Sequence, residues 1–306
     1  MRNKLNAAVL CLLLSACSST PPVAQTAGAD SSNTATKSEA SPADSQIFVP
    51  AGTFHGEIEG PDTDSAGNLY AVNFGGPGDE HKGSVGKVTP DGKASLHLRL
   101  PAGSTGNGIQ IDAQGVMWIA DYTGHQIWRY ANGQLTSFVF EPRMHQPNDL
   151  ALTRSGVIFA SDPDWKNSKG QLWRISADGK ARSIEQTGTS NGVEVSPDQR
   201  WLYVNESAQR KIWAYPLNDQ LDVGAKKLLI EFADFGLDGM RCDNQGNLYI
   251  ARYGKGTVVK LSPQGVVLKE FTLSGKYPTN VALSPDEHWL YVTMQRDGSI
   301  EKIALR

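Results

Sequence analysis

One sequence motif recurs six times along the chain, and this repeat limits the possible folds more than any other feature. Each copy opens with a polar residue, continues as an alternating apolar strand, turns at Gly, Asn or Asp, and ends in a second strand that carries an aromatic residue. The copies occupy residues 59–70, 107–118, 148–159, 191–203, 238–249 and 279–291. They recur about every 40 to 50 residues, which is the length of a four-stranded β-propeller blade. The alternation has a period of two residues, and this period excludes helical repeats.

A third strand follows the first two in every copy, and a weaker fourth strand usually comes after it. The third strands are predicted at residues 85–88, 127–130, 172–175, 212–215, 258–261 and 300–303. The sixth copy stops at its third strand, and because an unpaired sheet edge favours aggregation, residues 46–49 are predicted to supply the missing strand. The sequence therefore predicts an all-β fold over residues 46–306: a six-bladed β-propeller of four-stranded antiparallel blades, with the ring closed by an N-terminal strand.

The first 45 residues differ in composition from the repeats. Residues 1–17 combine Arg2 and Lys4 with an apolar run at 7–14 and end in Leu-Ser-Ala-Cys, which is the order of a secretory signal with a lipobox. This segment resembles bacterial lipoprotein signals, so we expect Cys17 to be acylated; an ordinary signal with an accidental cysteine is the alternative. Residues 18–45 contain almost no large apolar side chain and are predicted to form a disordered tether.

These features predict a protein held to the bacterial cell envelope by its lipid, on the periplasmic side, and Ser18 after the lipidated cysteine favours the outer membrane. The net charge of −3 is too small to indicate a nucleic acid partner. We expect a monomer. Cys242 alone would remain in the propeller, and its alternating strand predicts a buried, non-catalytic thiol. The tryptophans at repeated strand positions are predicted to pack between blades; they are Trp118, Trp128, Trp173, Trp201, Trp213 and Trp289.

The residue that opens the first strand is polar in all six copies. These residues are Glu59, Asn107, Asn148, Asn191, Asp238 and Thr279. Any one of them alone is explained by a turn, since Asn and Asp stabilise turns. Six equivalent positions converge at the mouth of a propeller channel, where two carboxylates and several amide oxygens form a site that Ca²⁺ or Mg²⁺ prefers, with Zn²⁺ as a further candidate. A cation there could also be a structural plug, so the ring alone does not establish an enzyme.

Four short stretches carry a resemblance to a known family. They are residues 59–61 (Glu-Gly-Pro), 147–149 (Pro-Asn-Asp), 190–192 with 196–198, and 238–240 with 246–249. In this order and at blade spacing they resemble the gluconolactonase/regucalcin (senescence marker protein) family, which is grouped with the strictosidine-synthase-like region. The resemblance covers the whole propeller. It implies a six-bladed propeller that hydrolyses a lactone, usually a sugar-acid lactone, to the open hydroxy acid.

The resemblance also implies roles for individual residues. The positions that match family metal ligands are Glu59, Asn191 and Asp238, and Asn148 completes the site and touches the substrate. Asp238 is the candidate general base, and Asn148 is its candidate partner in catalysis. Asn107 and Asp149 are predicted to contact the substrate or to support the residues that do. We expect one divalent cation, with Ca²⁺ first and Zn²⁺, Mg²⁺ or Mn²⁺ as alternatives.

The chain departs from the family where many relatives have an arginine shortly before the asparagine at 148. It reads His145-Gln146-Pro147 there, so a sugar lactone is less firmly implied than lactone hydrolysis itself. Arg143 or Arg252 could substitute, but each is predicted to be a solvated loop charge.

Three other functions remain open at this point. The first is a non-catalytic binding or scaffold propeller of the envelope, because fold does not determine function. The second is a histidine-dependent, paraoxonase-like mechanism, for which His55 and His145 are the candidates. The third is a strictosidine-synthase-like condensation.

Overall fold

Six four-stranded antiparallel sheets make up the part of the chain that the computed structural model describes, residues 42–75 and 83–306. Pro42–Arg306 cluster as one unit. The signal at 1–17, its Cys17 and the tether up to residue 41 lie outside the described residues. The predicted all-β, six-bladed propeller is confirmed.

The strands follow one another from the channel outwards in each blade. Blade 1 contains β2 (Asp62–Thr63), β3 (Leu69–Val72), β4 (Ser84–Val88) and β5 (Ala94–Arg99). Blade 2 contains β6 (Gly106–Ile111), β7 (Met117–Asp121), β8 (Gln126–Ala131) and β9 (Gln134–Phe140). Blade 3 contains β10 (Leu150–Leu152), β11 (Ile158–Asp164), β12 (Lys169–Ile175) and β13 (Ala181–Thr187).

Blades 4 to 6 repeat this order. Blade 4 contains β14 (Ser190–Val195), β15 (Trp201–Glu206), β16 (Lys211–Pro216) and β17 (Lys227–Glu231). Blade 5 contains β18 (Met240–Cys242), β19 (Leu248–Arg252), β20 (Thr257–Leu261) and β21 (Val267–Thr272). Blade 6 contains β22 (Pro278–Leu283), β23 (Trp289–Met294), β24 (Ser299–Ala304) and β1 (Ser45–Val49). A single 3₁₀ turn, Trp165–Asn167, interrupts the β structure of the described chain.

The ring closes through β1, as the sequence predicts. β1 pairs antiparallel with β24, with Ser45 opposite Ile303 and Ile47 opposite Glu301. Val49 is fully buried at the end of this strand. The strand begins one residue before the predicted range, and β24 is therefore not left as a free edge.

The predicted packing of tryptophans between blades is also confirmed. Trp118 of blade 2 and Trp173 of blade 3 share one core cluster, and Trp213 of blade 4 packs against residues of blade 3. Cys242 is half-buried rather than fully buried, and the burial it has holds the pKa of its thiol above the ordinary value. Within residues 42–75 and 83–306, no helix has the length and apolar character needed to cross a membrane.

Removal of the closing strand tests this architecture. A chain that begins at residue 51 lacks β1, exposes the edge of β24 and no longer buries Val49, so its free energy of unfolding is expected to fall by at least about 2 kcal/mol. Urea unfolding and size-exclusion chromatography measure the loss and the aggregation that an open edge favours. A chain that begins at Pro42 is the control. Equal unfolding midpoints for the two chains would contradict closure by β1.

Candidate functional site

The first strands of the six blades surround the channel. Each of β2, β6, β10, β14, β18 and β22 contacts the first strands of both neighbouring blades, so the six form a closed inner circle. Glycines allow this close approach: a Cβ at Gly60 would collide with the backbone of Asn107, and a Cβ at Gly239 with the side chain of Asn280. Gly60 also has a φ of 54°, which favours glycine. The residues that open these strands are thereby brought together.

A cavity of about 630 Å³ lies at this end of the channel, within the size range of small-molecule sites. All six polar residues that the repeat identifies line it, and we call them the inner ring: Glu59, Asn107, Asn148, Asn191, Asp238 and Thr279. Five of them are buried, and Asn107 is half-buried. The structure therefore brings together every predicted site residue of the propeller except Asp149.

A second circle of side chains lines the same cavity, and the sequence argument missed it. Its members are the residues that directly follow the second strand of each blade, and we call them the outer ring: Asn73, Tyr122, Trp165, Ser207, Tyr253 and Gln295. In the repeat register Tyr122, Ser207, Tyr253 and Gln295 each follow the aromatic position of the second strand by four residues, which is the signal that could have found them. Asn73 follows its aromatic position by three residues and Trp165 by six, so the repeat does not predict these two. These six residues share no common chemical type, so a search for repeated polar or aromatic residues would not identify them.

Glu59 and Asp238 form a pair of buried carboxyl groups in the inner ring. Their side chains are in hydrogen-bond contact, and burial, followed by the repulsion of nearby carboxylates, raises the pKa of both groups. Glu59 accepts a hydrogen bond from the backbone N–H of Gly60 at 2.8 Å, and the side chain of Asn191 lies beside Asp238. The ionisation of both neighbouring carboxyl groups has a high free-energy cost here unless a positive charge lies close to them.

Two oxygen atoms of the inner ring are buried without a hydrogen-bond partner: Oδ1 of Asp238 and Oδ1 of Asn107. Such atoms are costly unless something binds them. A divalent cation fits, because carboxylate and amide oxygens are the ligands of hard cations such as Ca²⁺ and Mg²⁺. The described residues contain no group of three or more His, Cys, Asp and Glu side chains placed to hold a metal, so the candidate donors are two carboxylates completed by amides.

Arg241 lies beneath the inner ring, deep in the channel. Its guanidinium is 3.3 Å from Oδ2 of Asp149, donates to the carbonyls of Met240 and Ile109 at 2.8 and 3.0 Å, and lies 4.0 Å from the carboxylate of Glu194. Burial raises the pKa of Glu194 to about 8, which outweighs the attraction of Arg241. The channel below the cavity is thus filled by charged side chains from several blades.

Asp149 belongs to this lower layer. Its carboxylate is fully buried, accepts from the backbone N–H of Leu150 at 3.0 Å, pairs with Arg241, and does not line the cavity. Of the two roles predicted for Asp149, this placement favours support of the inner ring over contact with a substrate.

The other charged candidates lie away from the cavity. Arg252 was predicted to be a solvated charge, and this is wrong: it is 1% exposed, donates to Asp234 at 2.7 Å and lies against the ring of Phe232. Arg143 is exposed and pairs with Glu141, as predicted. Neither histidine candidate lines the cavity, and the ring of His145 lies 3.6 Å from Asp164.

Residues 188–192 are Gly-Thr-Ser-Asn-Gly and match the Gly-x-Ser-x-Gly motif of a nucleophile elbow, which the sequence argument overlooked. An elbow places its serine at a sharp turn from a strand into a helix. Ser190 instead lies within β14, is fully buried and donates to the carbonyl of Gln171 at 3.2 Å. This arrangement does not present a nucleophile.

Comparison with known proteins gives concordant results. The family model of the SMP-30/gluconolactonase/LRE-like region matches residues 59–296. The 6-deoxy-6-sulfogluconolactonase of Pseudomonas putida is 35% identical over 141 residues, which are 44% of this chain and 48% of that protein. The gluconolactonase of Zymomonas mobilis is 31% identical over 222 residues, 60% of this chain and 61% of that protein. The chain thus spans between about half and three fifths of these two curated relatives.

The solved structures include a regucalcin from Agrobacterium tumefaciens that is described as a calcium-binding protein. It aligns with a TM-score of 0.71 at 20% identity and covers 85% of this chain and 92% of its own. At this identity the likeness concerns the fold.

Replacement of Arg241 tests the lower layer. Arg241→Met leaves buried carboxyls and carbonyls without their donor, so the free energy of unfolding is expected to fall by about 3–5 kcal/mol. The matched control is Arg143→Met, whose exposed pair with Glu141 is expected to contribute about 0–1 kcal/mol. Urea unfolding of both variants measures the difference. Equal losses would contradict the role of Arg241 in the channel.

The pH dependence of stability tests the buried carboxyls. Burial raises the pKa of Asp62 to about 6 and that of Glu194 to about 8, while the unfolded chain ionises both groups near their ordinary values. Between these values the unfolded state binds fewer protons than the folded state. In chelator the free energy of unfolding is therefore expected to fall as the pH rises from about 5 to about 8.

Urea unfolding at constant ionic strength measures this dependence, and Glu194→Gln, which cannot ionise, is expected to weaken it. A free energy of unfolding that rises over the same pH interval would contradict the assignment.

Proposed function

The chain belongs to the SMP-30/gluconolactonase/LRE-like region family, and on that basis we propose that it is a divalent-metal-dependent hydrolase that opens a lactone at the mouth of its channel. The observation that carries the proposal is the buried carboxyl pair of Glu59 and Asp238, whose Oδ1 atom on Asp238 has no hydrogen-bond partner. An acceptor-rich cavity of this kind is suited to a cation and to chemistry that develops negative charge.

The cation would be held by Glu59, Asn148, Asn191 and Asp238, which all line the cavity. Their donor atoms are oxygens, so Ca²⁺ is the first candidate and Mg²⁺ or Mn²⁺ the next, while Zn²⁺ more often takes nitrogen or sulfur ligands. When bound, a divalent cation supplies a Lewis acid for an ester carbonyl and lowers the pKa of a water molecule.

Asp238 is the proposed general base. One carboxylate oxygen of Asp238 would bind the cation, while the other would accept the proton of the attacking water. As the water oxygen bonds to the lactone carbonyl carbon, the bond from that carbon to the ring oxygen breaks. Asp238 returns the proton to the ring oxygen, and the product is the open hydroxy acid.

The remaining residues of the inner ring orient the substrate. Asn148 is either a ligand or the orienting group for the ester. The side chain of Asn107 lines the same cavity and is the proposed contact for a substrate hydroxyl. Asp149 is proposed to act from below, through its pair with Arg241.

The proposal extends to the place where this chemistry occurs. The signal pattern in residues 1–17 supports lipidation at Cys17 and attachment to the cell envelope, with residues 18–45 as the tether. A tethered monomer would meet small lactones on the periplasmic side. Mass spectrometry of the membrane fraction, before and after Cys17→Ser, tests the anchor.

The activity is tested on residues 42–306 after treatment with chelator. Hydrolysis of a lactone panel is followed by proton release with Ca²⁺, Mg²⁺, Mn²⁺ or Zn²⁺ restored. Turnover is expected only with a cation, and Asp238→Asn is expected to lower kcat/KM by about 10²- to 10⁴-fold, since it loses both the base and a charged ligand. The matched control is Asp286→Asn, which changes an exposed turn carboxylate of blade 6.

Two results would contradict the proposal in different ways. A cation that binds without turnover of any lactone would indicate a binding propeller. Turnover that survives chelation and Asp238→Asn would place the chemistry elsewhere.

A further inference from the structure

The outer ring carries two aromatic walls that the proposed chemistry does not use. Tyr122 of blade 2 and Trp165, which follows the second strand of blade 3, stand side by side on the cavity. Tyr253 belongs to blade 5, three blades from blade 2, and so faces them across the channel. Trp165 is 39% exposed, so much of its indole is not covered by protein.

Hydrogen bonds fix the first wall in place. The hydroxyl oxygen of Tyr122 accepts from Nε2 of Gln146 at 2.7 Å, and the side chain of Trp165 lies beside the same hydroxyl group. The backbone of Gln146 is itself held, because its N–H donates to Asp162 at 2.6 Å. Trp165 begins the 3₁₀ turn that Asp164 caps.

The second wall is fixed in the same way. The Tyr253 hydroxyl donates to the side-chain oxygen of Gln295, and its ring packs edge-on against Tyr277 at 5.3 Å. Burial raises the pKa of the Tyr253 hydroxyl, and the nearby Asp238 carboxylate raises it further, which shows that the two side chains are close. This wall therefore adjoins the inner ring.

The hydroxyl groups of Tyr122 and Tyr253 are engaged with Gln146 and Gln295. What the walls offer to a ligand is the apolar surface of their rings. Polar side chains such as Asn73, Thr123 and Ser207 line other parts of the cavity, but ligand hydroxyls placed against the aromatic rings would find few partners, and buried polar groups without partners are costly. An apolar substituent would instead gain contact with aromatic faces.

We infer that the outer ring selects an uncharged lactone with an alkyl or aryl substituent, which lies between Tyr253 and the Tyr122–Trp165 wall while its ester group points to the inner ring. This inference rests on the proposed function for the reaction, and it adds the class of substrate. Trp165 and Tyr122 are specificity-determining residues in this arrangement, because they contact the substituent and not the reacting ester.

The test compares two δ-lactones, one alkyl-substituted and one polyhydroxylated, in the calcium- or manganese-loaded protein. The protein is expected to favour the alkyl lactone by about 10-fold or more in kcat/KM. Trp165→Ala is expected to reduce this preference by about 10-fold, through a higher KM for the alkyl lactone, and Trp165→Phe is expected to restore most of it. Tyr122→Phe, which loses the hydrogen bond to Gln146, is expected to weaken the preference less.

Phe140→Ala is the matched control, since Phe140 is an exposed aromatic residue on β9 that does not line the cavity. Melting temperatures exclude unfolding as the cause of a change. A preference that is the same in the unaltered protein, in Trp165→Ala and in Phe140→Ala would overturn the inference, and so would a higher kcat/KM for the polyhydroxylated lactone.

A binding measurement separates this inference from the proposed function. Tryptophan fluorescence is titrated with the corresponding lactams, which are cyclic amides that keep the shape of each lactone. Tighter binding of the alkyl lactam that is lost in Trp165→Ala would support the inference even if no lactone is turned over. Turnover of lactones with equal binding of both lactams would support the proposed function and overturn the inference.

Discussion

The Arg241 guanidinium is the interaction on which the centre of this propeller depends. It extends from blade 5 into the channel, pairs with Asp149 of blade 3, donates to the Ile109 carbonyl of blade 2 and lies near Glu194 of blade 4. A charge buried this deeply is stable only with close partners. The partners of Arg241 come from different inner strands. The guanidinium can reach all of them only when these strands have the correct register and the correct distance from one another. Arg241 thereby joins blades that also meet through apolar packing and through hydrogen bonds between neighbouring inner strands, such as the one from the Gly108 N–H to the Asn148 carbonyl at 2.7 Å.

The candidate site is built on this layer. Asp149 pairs with Arg241 below and adds its negative charge to the environment of Glu59 and Asp238 above. The carboxyl groups around the channel outnumber the single Arg241 guanidinium, and two of them, Glu59 and Asp238, line the cavity at the inner ring. A cation at the mouth would favour the ionised forms of these two groups and balance their charge, and the outer ring would then determine which neutral molecule reaches it.

The fold and the inner ring could be predicted from the sequence because both follow from one repeat. The register of six strand pairs places their opening residues on a common circle, and the missing strand of blade 6 indicates how the ring closes. Arg241 lies three residues after Asp238, and the equivalent residues of the other blades are Asp62, Gln110, Ala151, Glu194 and Ala282. The repeat therefore carried a signal for this charged layer that the sequence analysis did not use, although it does not show which residues pair. The partners of Arg241 lie on other blades and only the closed ring brings them together. Arg252 was misjudged for the same reason, since its partners at Asp234 and Phe232 are set by loop packing.

The central claim is that the inner ring holds one divalent cation, and a crystal of the protein with Mn²⁺ tests it most directly. Anomalous scattering locates the ion independently of any assay. The account predicts a single strong peak at the channel mouth, within coordination distance of carboxylate oxygens of Glu59 and Asp238 and of the side chains of Asn148 and Asn191. A peak that lies elsewhere, or a cavity without any peak at saturating Mn²⁺, would contradict it.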